Sequence, residues 1–66
     1  MLQRDTQSIL VIGAGSIGLR HLRNLRDLGM RHLAACDVAP DHLAAAASEI
    51  DLETFNDIDE ALSLFR

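Results

Sequence analysis

The apolar run Ile9-Leu10-Val11-Ile12 passes directly into Gly13-Ala14-Gly15-Ser16-Ile17-Gly18, and this junction limits what the chain can fold into more than any other stretch. Four consecutive apolar residues, three of them β-branched, fit a strand covered on both faces, as in a parallel sheet. Gly13 ends the strand. From Ser16 to Leu28 the pattern becomes helical, with Ile17, His21, Leu25 and Leu28 expected on the packed side and Gly18 and Leu22 beside them. Arg20, Arg23, Asn24 and Asp27 fall on the other side, where Arg23 and Asp27 are spaced to pair. Gly29 supplies the positive φ at which helices commonly stop.

The remaining chain repeats the alternation. His32 to Asp37 reads as a second strand with a body of small apolar residues, Leu33 to Cys36. Two strands joined by a helix of this length run parallel, because a hairpin needs no such connection. Pro40 suits a first helical position, and Asp41 puts negative charge near the positive end of the dipole. Leu43, Ala47 and Ile50 then form the expected buried stripe of a second helix. Leu52 to Phe55 reads as a short third strand whose Glu53 marks an edge. Asp57 followed by Glu60 has the form of a capping box, so a last helix is expected from Ile58, burying Leu62 and Phe65. The polar, aperiodic start, residues 1–8, reads as a flexible leader.

This order predicts an α/β fold, β-α-β-α-β-α, with an incomplete parallel sheet of about three strands making one partial dinucleotide-binding domain over residues 1–66. A chain of this length buries only about 60% of the surface it exposes when unfolded. A lone Cys36 makes no internal disulfide, and no Cys/His grouping has zinc-ligand spacing. A larger parent or a partner is therefore expected to complete the sheet, and its open edges favour self-association in isolation. The single thiol fits a reducing, cytoplasmic setting. With a net charge of −4 and all six basic residues arginines, neither nucleic acid nor an anionic membrane is the expected partner. No apolar run approaches the ~20 residues of a membrane span, and the N-terminus has no signal-peptide pattern.

The turn is suited to a dinucleotide. A pyrophosphate needs free N–H donors and a backbone clear of side chains. The spacing Gly13-x-Gly15-x-x-Gly18 provides a tight turn, close backbone approach, and close packing of helix on strand. Ala14, Ser16 and Ile17 lie between these glycines, and the amides of Ser16 and Ile17 open the helix toward an anion. Asp37, nineteen residues past Gly18, stands where an acid accepts hydrogen bonds from both ribose hydroxyls of the adenosine half, with Val38 beside it. Its charge repels a 2′-phosphate, so NAD is favoured over NADP. The competing role for Asp37 is simply to cap the strand end. His21 is expected as a packed core histidine, Cys36 as an inert small hydrophobe, and Ser16 as a loop residue lacking a base to activate it. No residue is assigned catalysis or a metal.

The run Val11 to Leu25 resembles the start of the Gfo/Idh/MocA oxidoreductases, the group of glucose-fructose oxidoreductase and inositol dehydrogenase. That family's pattern GxGxxGxxHxxxL falls on Gly13, Gly15, Gly18, His21 and Leu25. The likeness continues through Cys36-Asp37-Val38, the alanine-rich helix and Asp57 to Leu62. The resemblance implies an N-terminal Rossmann domain of an NAD(P)-dependent dehydrogenase acting on sugars or cyclitols, followed by a C-terminal α/β domain. It also implies a catalytic lysine in a Glu-Lys-Pro motif, and this sequence contains no lysine. Three readings stand at this point: the binding part of such an enzyme, a non-catalytic NAD-binding or regulatory module, and an interaction fragment.

Overall fold

The computed structural model describes residues 8–65. Its elements run β1 (Ser8–Ile12), α1 (Ser16–Asp27), β2 (His32–Cys36), α2 (Pro40–Glu49), β3 (Glu53–Phe55) and α3 (Ile58–Leu64). The strands form one sheet in the order β1-β2-β3, all parallel, so the architecture is Rossmann-like α/β. Ile9 stands opposite Leu33 and Ile12 opposite Cys36, while Phe55 on β3 also pairs with Cys36. β2 is therefore central. Its small residues Ala34, Ala35 and Cys36 are buried, which lets helices approach the sheet closely. The expected leader lies outside the described residues except for Ser8, which opens β1.

The boundaries follow local chemistry. Gly29 takes a φ of 93°, ending the α1 region through a conformation side chains disfavour. Pro40 occupies the first turn of α2 with Asp41 beside it. Asp57 caps α3 by accepting hydrogen bonds from the amides of Asp59 and Glu60. No helix among the described residues is long and apolar enough to cross a membrane.

Several expected faces are turned. On α1 the buried position is Leu22, with Leu19 and Leu25 packed partly against the core, whereas His21 and Leu28 are exposed and Ile17 is 71% exposed. Both stripes are apolar enough to compete; Gly18 lets the helix approach closest on its own side, and that selects Leu22. On α2 the buried stripe is Leu43, Ala46 and Ile50, not Ala47. On α3, Ala61 is buried and Leu62 is 64% exposed, while Phe65 is half-buried with its ring tilted against that of His32, centroids 4.7 Å apart. Arg23 does not pair with Asp27. It reaches across to α2 and grips Glu49 with two nitrogens, Nη2 lying 2.8 Å from Oε1, and Asp27 pairs instead with Arg26.

The contrast between Leu22 and Leu62 is measurable. Leu22→Ala should cost at least about 2 kcal/mol, because its side chain is fully enclosed. Leu62→Ala should stay within about 0.5 kcal/mol. Urea denaturation of the two variants separates them, and comparable midpoint shifts would contradict this packing.

Candidate functional site

The glycine loop is held by bonds that begin where β1 ends. The Gly13 amide donates to the Cys36 carbonyl at 2.7 Å, continuing the β1–β2 ladder one step past the strand. Gly13 then turns the chain with a φ of 96°, open to glycine at little cost. Gly18 lies against that turn: a Cβ placed there would stand 1.8 Å from the Gly13 carbonyl oxygen. The first turn of α1 is thereby pressed against the end of β1. Gly15 is the N-cap, no side chain caps the helix, and no acid sits in its first turn. The opening amides, Ser16 and Ile17 among them, have no acceptor within the helix and add the positive end of its dipole. An open depression of about 490 Å³ lies here, lined by Ile12, the three glycines, Ile17 and His21 among others. His21, expected in the core, instead borders this depression.

Asp37 connects the loop to the second helix. Its Oδ1 accepts from the Ala39 amide at 2.9 Å, the local turn that an aspartate makes with the residue two positions on. Its Oδ2 accepts from the Ala14 amide at 2.8 Å and lies 2.9 Å from His42 Nδ1. The side chain is 12% exposed. The amides of Ala39 and Ala14, then His42, hold its carboxyl down to about 2, so it is ionised at every ordinary pH. An ionised carboxylate only accepts, so Nδ1 of His42 carries the hydrogen.

The expected residues thus come together in one place. Gly13, Gly15, Ser16, Ile17 and Gly18 shape the uncapped helix start, Ala14 is buried and spends its amide on Asp37, and Val38 is 89% exposed beside it. His42 was not among them. Its signal in the sequence is faint: a third helical position five residues after the acid, which brings the side chain back to Asp37 only once the β2–α2 turn is known. Burial pushes the Cys36 thiol up, with Asp57 and Asp37 adding to it, so the thiol is poorly suited to nucleophilic work. Among the described residues no group of three or more His, Cys, Asp or Glu is placed to hold a metal ion.

Over 52 residues the chain is 35% identical to galactitol 1-phosphate 5-dehydrogenase of Escherichia coli strain K12, and equally to that of Escherichia coli O157:H7. The similarity is to an oxidoreductase. It takes in 79% of this chain and 15% of the relatives, so the chain spans a small part of the dehydrogenases it matches. No family model matches the chain, and no solved structure does.

The arrangement fits an anionic ligand with a hydroxyl-bearing end. Backbone donors and a clear approach lie at the helix start, and a fixed carboxylate lies across the loop from it. A carboxylate offers about four acceptor positions. Three are taken by Ala14, Ala39 and His42, which leaves one open and a second that His42 can vacate.

Proposed function

We propose that this chain binds NAD through its adenosine-diphosphate half and serves as the nucleotide-binding part of an oxidoreductase. The observation that carries the reading is the joint placement of an uncapped helix start behind a glycine loop and an ionised Asp37 tied to the same loop through Ala14. Gly15 leaves room for the pyrophosphate while Gly13 and Gly18 set the turn and the helix beside it, the amides of Ser16 and Ile17 receive its charge, and Asp37 with Val38 receives the ribose. The cofactor supplies hydride chemistry when bound; the residues of this chain bind and orient it.

The motif through His21 and Leu25 supports a parent of the Gfo/Idh/MocA kind. The similarity to a dehydrogenase named for galactitol 1-phosphate supports a polyol-, sugar- or cyclitol-like substrate. That substrate and the catalytic groups would meet residues other than those assigned here.

Calorimetry tests the binding claim. ADP-ribose and NADH should bind this chain with affinities within about threefold of each other, because the nicotinamide half adds little contact. Absence of binding by both ligands, or NADH binding far more tightly than ADP-ribose, would overturn it.

A further inference from the structure

His42 stands between the two halves of the candidate site. Its Nδ1 hydrogen is directed to Asp37 Oδ2 at 2.9 Å. Its ring also lies over the glycine loop, Cε1 falling 3.6 Å from where a Cβ on Gly15 would stand. The side chain is half exposed. Among the described residues, the charged groups beside it are Asp37 at the end of β2, which it contacts, and Asp41, its neighbour on α2; the loop meets it at Gly15, which carries no charge.

We propose that His42 is a specificity-determining residue that sets, by its own charge, whether the adenosine ribose is accepted with a free 2′-hydroxyl or with a 2′-phosphate. The inference rests on reading the loop as a dinucleotide site. Neutral His42 bonds Asp37 weakly and can give up its position on Oδ2, so both ribose hydroxyls find acceptors. Its Nε2 is then an acceptor that offers a phosphate nothing. Protonated His42 forms a charge-assisted bond with Asp37, which is stronger and harder for a ribose hydroxyl to displace. It also offsets the carboxylate charge that repels a 2′-phosphate, and Nε2 becomes a donor. Protonation therefore acts twice in the same direction, against the hydroxyl and for the phosphate.

The test measures binding of ADP-ribose and of 2′-phospho-ADP-ribose to the whole chain at pH 8 and pH 5.5. The 2′-phosphate itself gains a proton near pH 6, which weakens it on acidification whatever stands at position 42. The readout is therefore the difference between wild type and His42→Gln. On acidification the wild-type affinity ratio should move about fivefold further toward the phosphorylated ligand than that of His42→Gln, the size expected of one exposed charge contact. His42→Arg, with a permanent cation, should show the phosphate-favouring ratio already at pH 8. Binding of both ligands with the same ratio and pH dependence in all three proteins overturns the role of His42 and leaves the nucleotide site standing. Failure of both ligands to bind at either pH overturns the site and this role together.

Discussion

Gly18→Ala should lose most of the fold's stability, the largest effect of an added methyl group at any of the four glycines. The added Cβ would lie 1.8 Å from the Gly13 carbonyl oxygen and 2.7 Å from its carbon. Both are backbone atoms, so no side chain can rotate away, and α1 must lift from the end of β1 by more than about 1 Å to restore ordinary contact. Leu22 sits one turn further along the same face and is fully buried, so lifting the helix withdraws it from the core as well. The cost should reach about 3 kcal/mol or more. A domain of 66 residues has only about 3–10 kcal/mol in total. The neighbouring glycines calibrate the result. Gly13→Ala meets no atom but must hold a φ of 96°, at roughly 1–2 kcal/mol. Gly15→Ala meets only the His42 ring at 3.6 Å and should be nearly neutral for folding. Chemical denaturation followed by circular dichroism should rank the losses Gly18, Gly13, Gly15. A Gly18→Ala midpoint equal to that of Gly15→Ala would show that the helix does not pack this way.

The same residues show what the sequence could and could not disclose. Element order and type are written locally, in the β-branched run before Gly13, in Gly29, in Pro40 and in the Asp57 cap, and these survive in the fold within about a residue. The faces of the helices are not local. α1 carries two adjacent apolar stripes, and the choice between them is made by the close approach at Gly18 rather than by hydrophobicity. α2 contains four successive alanines, Ala44 to Ala47, which offer no contrast; the orientation is set by Leu43 and Ile50, and Ala46 falls between them. Arg23 had an acid four residues on, yet a bidentate partner on α2 outbids the single contact that Asp27 could make. In the candidate site, the glycine spacing and Asp37 were legible because both depend on short sequence separations. The Ala14 bond to Asp37 needed the β1–β2 register, which brings the loop after one strand beside the end of the other, and the Asp37–His42 pair needed the geometry of the β2–α2 turn.

Asp37 should prove as important to the loop as to the ligand, and replacing it separates the two roles. Asp37→Asn keeps the shape but exchanges one oxygen for an NH₂ group. With Ala39 donating to Oδ1, and Ala14 and His42 donating to Oδ2, either orientation of the amide sets a donor against a donor. The ribose also loses a charged acceptor, so ADP-ribose affinity should fall at least about tenfold. With Asp37→Ala, the loss should be larger for NAD than for NADP, since removing the carboxylate also removes what repels the 2′-phosphate; equal losses would argue that Asp37 only caps the strand. The pH dependence follows from the same bonds. Folding lowers the Asp37 carboxyl from 3.8 to about 2, first through the Ala39 amide, then Ala14, then His42. A carboxyl depressed by folding stabilises the native state above its unfolded value, and that contribution fades as pH falls from about 4 toward 2. Wild type should therefore lose stability more steeply than Asp37→Asn between pH 5 and pH 2.5 in denaturant titrations. Parallel slopes would mean that the carboxylate is not held by these three donors in solution. The glycine loop would then be positioned by the Gly13 turn and the close approach at Gly18 without the help of Asp37.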